Sequence, residues 1–261
     1  MIVLQNNLAL ETISALLLFS VRLAGLFLVA PIFSATAVSL PIRIGLTFAI
    51  ALALFGSVKI PTIDLMSMQG LGVIFTEAVI GIAMGLIYQL VFASAAMAGE
   101  QIAFSMGLGF ASMVDPQTGS QSPVITQFLS VMLILLFFVL QAHHAILRQY
   151  AASYQALPIG GALEPGLFLG IAKAGGLIYS SALITALPII VFLFLTNVLI
   201  GLMTRIAPQL NVFSVGFPVT ILIGIVGLML TFPAIGNGMG NLLKTASSIV
   251  NEVILNIGAT P

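Results

Sequence analysis

Residues 174–204 read AGGLIYSSALITALPIIVFLFLTNVLIGLMT and contain no Asp, Glu, Lys or Arg. Two further stretches, 116–147 and 206–243, are also free of these four residue types. Each stretch is longer than the roughly 20 residues that an α-helix needs to cross a bilayer. The three stretches therefore predict helices that associate with a membrane.

The composition of the whole chain is not that of a soluble globular protein. Of the 261 residues, 60% are hydrophobic and 5% are charged, whereas soluble domains average about 25% charged residues. Seven basic and seven acidic residues give a net charge of zero. No basic block is present that could neutralise a row of phosphates, so nucleic acid is not an expected partner. The absence of cysteine excludes disulfides and cysteine metal sites.

Apolar stretches separated by turn residues indicate six hydrophobic segments. They lie near residues 8–30, 44–58, 71–98, 124–147, 174–203 and 213–235. We assign them as helices, because backbone in lipid must satisfy its own hydrogen bonds and barrel strands have only about 9 to 11 residues. The second segment is short, and Pro188, Pro218 and Pro233 remove backbone donors from the last two. The sequence predicts an all-α fold of membrane-associated hairpins, with kinked, broken helices that pack against partner subunits.

Arg22 is a charged residue within the first apolar segment. It follows Glu11 by eleven residues, about three helical turns, so both side chains project from nearly the same helix face. A charge at membrane depth normally faces protein or water, which predicts that this face meets another subunit. The alternative is that Arg22 extends its head group to the aqueous interface from the end of the segment.

Glu77, Gly81 and Gly85 recur every four residues in the third segment. They form a small, partly polar stripe that permits close approach of a neighbouring helix. The 25 glycines of the chain would produce a few such spacings by chance. We therefore interpret these glycines as packing sites and not as a dimerisation motif.

His143 and His144 are the only histidines of the chain. Adjacent residues of a helix point about 100° apart, so a regular helix cannot direct both side chains at one ion. We interpret them as an interfacial pair at a segment end, and we expect no metal or cofactor. Nucleotide-binding, serine-hydrolase, zinc-protease and paired-carboxylate patterns also fail on spacing or composition, so we expect no enzyme.

The connection at residues 106–123 reads MGLGFASMVDPQTGSQSP. Its glycines, prolines and polar residues exclude a continuous helix, while Met106, Phe110 and Met113 are apolar. Flexible side chains on a glycine-rich backbone could form a conformable seal, and irregular backbone at membrane depth persists only inside protein or along a water-filled cavity. From the residues alone, a channel plug and an ordinary extramembrane loop both remain open.

Two parts of the sequence resemble the FliR/SpaR family of type III secretion export-gate proteins. The first part comprises Ala98-Gly-Glu-Gln101, Gly107-Leu-Gly-Phe-Ala111 and Asp115-Pro116. The second comprises Leu195-Thr-Asn197, Gly201-Leu202, Arg205-Ile-Ala-Pro-Gln-Leu-Asn-Val-Phe213 and Val215-Gly-Phe-Pro218. Chain length, segment order and the spacing of the two parts also match, so the resemblance covers nearly the whole chain.

The resemblance implies one export-gate domain over residues 1–261, with about 1–184 arranged like FliP and about 185–261 like a FliQ helical hairpin. It implies that the protein helps to form and close the channel through which unfolded flagellar subunits leave the cell. The implied partners are FliP-like, FliQ-like, FlhB-like and FlhA-like proteins, exported substrates in transit and membrane lipid. The implied location is the bacterial inner membrane, in the flagellar basal body. An injectisome homologue and, less favoured, a multi-pass secondary transporter are the alternatives.

The resemblance also implies roles for individual residues. It assigns residues 106–123 to the plug that closes the resting channel. In that plug the sealing side chains are Met106, Phe110 and Met113, the hinges are Gly107 and Gly109, and the turn is Asp115-Pro116. It assigns roles at subunit interfaces or in fixing loops to nine further residues: Arg22, Glu100, Asn197, Arg205, Pro208, Gln209, Asn211, Gly216 and Pro218.

Overall fold

The structure is a computed structural model that describes residues 2–34, 38–57, 61, 63, 65–108, 124–161, 165–207 and 216–255. The regular elements of this part of the chain are all helices, which confirms the predicted all-α fold. The α-helices are α1 (Ile2–Val29), α2 (Leu40–Leu54), α3 (Met68–Ser105), α4 (Val124–Val139), α5 (Ala142–Ala156), α6 (Pro165–Ile206) and α7 (Phe217–Val250). A 3₁₀ turn, Phe55–Ser57, follows α2, and a π-helical segment, Asn251–Leu255, follows α7.

Within the described ranges, four helices are long and apolar enough to cross a membrane. They are α1, α3, α6 and α7, and the broken pair of α4 and α5 adds a fifth candidate. Helix α2 has 15 residues, which corresponds to about 22 Å of helix against a hydrocarbon core of about 30 Å. It is therefore too short to span a bilayer, as the sequence predicted.

The structure differs from the predicted segments at two places. The segment predicted at 124–147 is divided at Gln141, whose φ of 53° is left-handed and ends the run of helical backbone. The last helix continues to Val250, because Pro233 lies inside it without ending it. Pro188 likewise lies inside α6. Pro218 belongs to the first turn of α7, where backbone N–H groups have no partner within the helix, so it does not interrupt the hydrogen bonding.

The chain forms two compact units, each assembled from separate stretches. Unit 1 comprises Met1–Leu90, Gln141–Gly176 and Thr245–Pro261, and unit 2 comprises Val91–Leu140 and Leu177–Lys244. Helices α3, α6 and α7 each contribute residues to both units. The change from a FliP-like to a FliQ-like part near residue 185 falls within the continuous helix α6 and stays a prediction.

Each unit has its own apolar core. The fully buried side chains of unit 1 include Phe19, Leu23, Leu26, Met84, Ile87 and Tyr150, and those of unit 2 include Val91, Ile102, Leu133, Phe137 and Leu193. Much apolar surface stays uncovered, since only 22% of the apolar window of α6 and 28% of that of α7 are buried. Exposed apolar surface on this scale is typical of proteins that contact lipid or partner subunits.

Candidate functional site

Arg22 of α1 and Glu77 of α3 form a buried ion pair in unit 1. Nε of Arg22 donates to Oε2 of Glu77 at 2.7 Å, and Nη2 donates to Oε1 at 3.1 Å, so the contact is bidentate. The backbone N–H of Gly160, a residue with a φ of 86°, donates to the same carboxylate. Both charged side chains are 0% exposed. Charges this deep persist only when they are paired and hydrogen-bonded, as these are.

The end of α5 binds the rest of the Arg22 guanidinium. Nη1 donates to Oγ of Ser153 at 2.8 Å, and Nη2 donates to the carbonyl oxygen of Leu157 at 2.8 Å. The central guanidinium carbon lies 3.9 Å from the centroid of the Tyr154 ring, a cation–π contact. Four of the five guanidinium N–H groups therefore have protein acceptors. The cluster joins α1, α3 and α5 through one side chain.

The Arg22 side chain is thus enclosed within unit 1, so it neither reaches solvent nor lies on a surface that is open to another subunit. Glu77 and α5 enclose it completely. The sequence marked Arg22 and Glu77 separately as charges within apolar segments. No sequence pattern predicted that these two residues, 55 positions apart, form an ion pair. None indicated Ser153 and Tyr154 as their neighbours.

Glycines permit a close crossing of α1 and α3 beside the ion pair. A methyl group added to Gly25 would lie 2.6 Å from the carbonyl oxygen of Ala78, and a methyl group at Gly81 would overlap the carbonyl of Arg22. At Gly85 it would lie 2.7 Å from the carbonyl oxygen of Leu26. Backbone cannot move aside as a flexible side chain does, so this approach requires glycine. The packing role predicted for Gly81 and Gly85 is confirmed.

A second polar cluster in unit 1 surrounds Gln149 of α5. Its Oε1 accepts a hydrogen bond from the Tyr88 hydroxyl at 2.6 Å. Its Nε2 lies 2.8 Å from the carbonyl oxygen of Ser247 and 2.8 Å from Oδ1 of Asn251. The cluster connects α3 and α5 to the C-terminal end of α7 and to the π-helical segment. No sequence motif marked these residues.

The C-terminal end of α3 lies in unit 2, at the start of the predicted plug. Gly107 has a φ of 82°. The N–H of Leu108 donates to the carbonyl oxygen of Ala103 at 3.0 Å, and the N–H of Gly107 donates to that of Phe104 at 2.9 Å. These two bonds form a Schellman motif, which ends a helix at a residue in the left-handed conformation. Gly107, predicted as a hinge, is thus the residue that ends α3.

Side chains of α6 and α7 bind the next two carbonyls of this helix end. Nδ2 of Asn197 donates to the carbonyl oxygen of Ser105 at 2.8 Å. Oγ1 of Thr220 donates to the carbonyl oxygen of Met106 at 3.0 Å, and it shares its hydrogen with the carbonyl oxygen of Phe217, also at 3.0 Å. The last carbonyls of a helix lack donors from their own helix. Here those donors come from two other helices.

Apolar contacts hold the same helix end. Met106 is 1% exposed. Its side chain fills a notch at Gly224, where an added methyl group would lie 2.6 Å from Cε of Met106. The Phe217 ring packs against Gly107, with Cδ1 at 2.7 Å from the position of an added methyl group. Met106, predicted as a sealing side chain, therefore lies in the core of unit 2.

The structure also locates other residues that the sequence singled out. Glu100 is partly buried on α3, Arg205 is exposed in the last turn of α6, Gly216 is buried just before α7, and Pro218 is exposed in the first turn of α7. The residues outside the described part of the chain are Gly109, Phe110, Met113, Asp115, Pro116, Pro208, Gln209 and Asn211.

The two histidines lie at the start of α5, directly after the break at Gln141. Their ring centroids are 4.2 Å apart. Among the residues that the structure describes, no group of three or more His, Cys, Asp or Glu is arranged to hold a metal ion.

The fold and these clusters define a class of protein: an all-helical membrane protein whose apolar helices are joined by buried polar contacts. Comparison with known proteins identifies the family within this class. The chain belongs to the family described as "Bacterial export proteins, family 1", which matches residues 13–246. This match confirms the resemblance that the sequence motifs indicated.

Individual relatives match along most of their length. The chain is 34% identical to the flagellar biosynthetic protein FliR of Pectobacterium carotovorum subsp. carotovorum over 241 residues, which cover 92% of each chain. It is 33% identical to the protein of the same name from Escherichia coli (strain K12), with 89% of this chain and 90% of that protein covered. The corresponding Bacillus subtilis (strain 168) protein is 31% identical, with 97% and 100% covered.

Proposed function

We propose that this protein is a component of the flagellar protein export gate in the bacterial inner membrane. It helps to form, and to close, the channel through which unfolded flagellar subunits pass. The observation that carries the proposal is the match to a bacterial export family over residues 13–246, with relatives named as flagellar biosynthetic proteins. These names favour flagellar use over use in an injectisome.

In this proposal the protein acts by assembly and not by catalysis. FliP-like and FliQ-like subunits pack against it, and FlhB-like and FlhA-like proteins are further partners. The uncovered apolar surfaces of α6 and α7 support this view, because such surfaces need lipid or protein to cover them. Exported substrates are passengers, and the driving energy comes from other components.

Residues 106–123 form the plug of the resting channel in the proposed gate. The Schellman motif at Gly107 supports this assignment, because it ends the helix immediately before the glycine-rich segment. Asn197, Arg205 and Pro218 of the family motif then serve to fix loops or contact subunits. The exposure of Arg205 and Pro218 is compatible with such contacts.

Co-purification tests the proposed assembly. When this chain is co-expressed with FliP-like and FliQ-like subunits and extracted in detergent, we expect one stable particle that contains all three proteins. Its subunit composition is measured by native mass spectrometry, and an unrelated protein with several membrane-spanning helices serves as the control bait. Recovery of the chain as a stable monomer, without the other two subunits, would contradict the proposal.

Loss of the sealing side chains tests the plug. The double variant Phe110→Gly/Met113→Gly removes apolar bulk from the segment, so ion leakage through the assembled complex should rise. Leakage is measured as dye or ion flux in vesicles that contain the complex. The matched control Gln117→Gly/Gln121→Gly adds the same backbone freedom without removing apolar side chains, and it should leak much less. Equal leakage from the wild type and the Phe110/Met113 variant would count against the plug.

A further inference from the structure

We propose that a groove between α1, α2 and α3 binds an acidic phospholipid, with an acyl chain in the groove and the lipid phosphate on Arg43. We call it the α2 groove. Side chains from residues 20–28 of α1, residues 40–48 of α2, and Ala78 and Ile82 of α3 line it, and all of them belong to unit 1. Its volume is about 370 Å³, within the range of roughly 300 to 1,000 Å³ for small-ligand sites. The inference adds a ligand to the proposed function and does not depend on which residues close the channel.

Small residues of α1 leave the space that the α2 groove occupies. Ala24 and Gly25 both line it. Here α1 approaches α3 so closely that a methyl group added to Gly25 would lie 2.6 Å from the carbonyl oxygen of Ala78. Leu28 of α1 and Ile44 of α2, which also line the groove, are 57% and 48% exposed. The groove therefore opens onto a surface that is itself apolar.

The two hydroxyl groups in the lining already donate within their own helices. Oγ of Ser20 donates to the carbonyl oxygen of Leu17 at 2.7 Å, and Oγ1 of Thr47 donates to the carbonyl oxygen of Arg43 at 2.8 Å. A hydroxyl has one hydrogen, so neither group has a hydrogen left for a ligand. Apart from these two and Arg43, the lining residues are apolar. A hydrocarbon chain matches this lining, whereas a sugar or a polar peptide would leave its own polar groups unpaired.

Arg43 lies at the end of the groove that is nearest to the limit of the apolar span. It belongs to the first turn of α2. The ring of Phe55, directly after α2, is 6.4 Å from the ring of Phe19 in α1, so α2 runs back along α1 and begins beside its end. The apolar window of α1 ends at Val29. Arg43 is therefore near the level at which apolar helix surface gives way to lipid head groups.

The charge of the groove favours an acidic head group. None of the residues that line it is acidic. A guanidinium carries five N–H donors in a planar fork, a geometry that matches phosphate. Nη2 of Arg43 lies 3.4 Å from the carbonyl oxygen of Val38, and a contact this long is readily exchanged for a shorter, charge-assisted bond to a phosphate. One cation at the end of an apolar groove thus complements one acidic lipid.

The size of the groove favours a lipid chain over a helix of a partner subunit. From Ser20 to Leu28 the lining covers eight residue steps of α1, about 12 Å. A helix of that length and about 10 Å in diameter occupies roughly 900 Å³, more than twice the volume of the groove. An acyl chain is much narrower. An extended segment of a partner subunit is the competing occupant, and the experiment below distinguishes it.

Five variants separate charge from space. Arg43→Gln removes the charge, Arg43→Lys keeps it, and Ala24→Phe fills the groove. Arg148→Gln removes the charge of an exposed residue of α5 in the same unit. Ala49→Phe adds the same ring at an exposed residue of α2 that does not line the groove. The last two are the matched controls.

Photolabelling locates the lipid. The complex with FliP-like and FliQ-like subunits is reconstituted in phosphatidylcholine vesicles that contain rising fractions of phosphatidylglycerol with a photoactivatable acyl chain. The full-length chain alone is used if the complex does not form. After illumination and digestion, mass spectrometry measures the labelling of residues 20–28 and 40–48. Photoactivatable phosphatidylcholine, which has the same chains and phosphate but no net charge, is the matched probe.

We expect saturable labelling of residues 20–28 and 40–48 in the wild type, at a lower mole fraction of phosphatidylglycerol than of phosphatidylcholine. Arg43→Gln should raise the half-saturating fraction of phosphatidylglycerol about fivefold, the effect of one cation at an anionic lipid. Arg43→Lys should recover most of this loss, because it keeps the charge. Ala24→Phe should abolish saturable labelling, and both controls should behave as the wild type. If Ala24→Phe does not fold, the comparison of Arg43→Gln with Arg43→Lys is the test.

Two outcomes would overturn the inference. Equal labelling by the two lipids, unchanged in Arg43→Gln, would show that the groove takes any surrounding lipid. A groove that is labelled in the chain alone but not in the complex would show that a partner subunit covers it. Co-purification of the three subunits is scored separately, so failure of the assembly and failure of the lipid site are different results.

Discussion

Glu77→Leu is expected to lower the free energy of unfolding by about 3 to 5 kcal/mol, because it leaves the guanidinium of Arg22 buried without its counter-charge. Both side chains of the pair are 0% exposed, so solvent cannot replace the lost carboxylate without opening the unit. The measurement is the fraction of the complex with FliP-like and FliQ-like subunits that stays monodisperse in detergent after heating, as determined by size-exclusion chromatography. Glu100→Leu, at a partly buried position on the same helix, is the control and should change little.

The double variant Arg22→Leu/Glu77→Leu distinguishes a broken pair from a general loss of packing. Replacement of a buried ion pair by apolar residues is often close to neutral, so the double variant should be more stable than Glu77→Leu alone. Recovery should be incomplete, because the Leu157 carbonyl loses the donor that Arg22 supplied. Equal damage in the single and double variants would show that the charges are not coupled.

Gly81→Ala is expected to lower the free energy of unfolding by about 1 to 3 kcal/mol, the range for overpacking of a well-packed interior. The added methyl group would overlap the backbone carbonyl of Arg22, so α1 has to move away from α3 and from the adjacent ion pair. A larger loss follows if that movement also separates Arg22 from Glu77. The same heating and size-exclusion measurement reports the effect.

Gly72→Ala is the matched control for the crossing. Gly72 belongs to the same helix and the same unit, and nothing lies within 4 Å of a methyl group added there. Alanine is favoured over glycine in a helix by about 1 kcal/mol, so this variant should be slightly more stable than the wild type. The same substitution is thus expected to lower stability at one position of α3 and to raise it at another. A loss of stability at Gly72 equal to that at Gly81 would contradict the packing explanation.

The helices were predictable because long uncharged stretches have few alternatives in a membrane. The ends of the helices were less predictable. Gln141, which interrupts the segment at 124–147, is neither glycine nor proline, and no local pattern indicated its left-handed backbone. Pro233 produced the opposite error. The sequence predicted a segment that ends near residue 235, whereas the helix continues through Pro233 despite the missing backbone donor.

Several residues of the two clusters could be identified individually from the sequence, but the contacts between them could not. The sequence identified Arg22 and Glu77 as unusual charges, and family motifs identified Gly107 and Asn197. Which residues they contact is determined by the tertiary structure. Ser153 and Thr220 are ordinary polar residues in sequence, and they acquire a role only because the fold brings them within hydrogen-bond distance of residues more than a hundred positions away.

The enclosure of Arg22 has a consequence for biogenesis. The ribosome makes Arg22 55 residues before Glu77 and 135 residues before Leu157. A nascent α1 therefore enters the insertion machinery with a cation whose acceptors have not yet been synthesised. The set of acceptors for this cation is complete only when the first 157 residues, which include α5, have been synthesised.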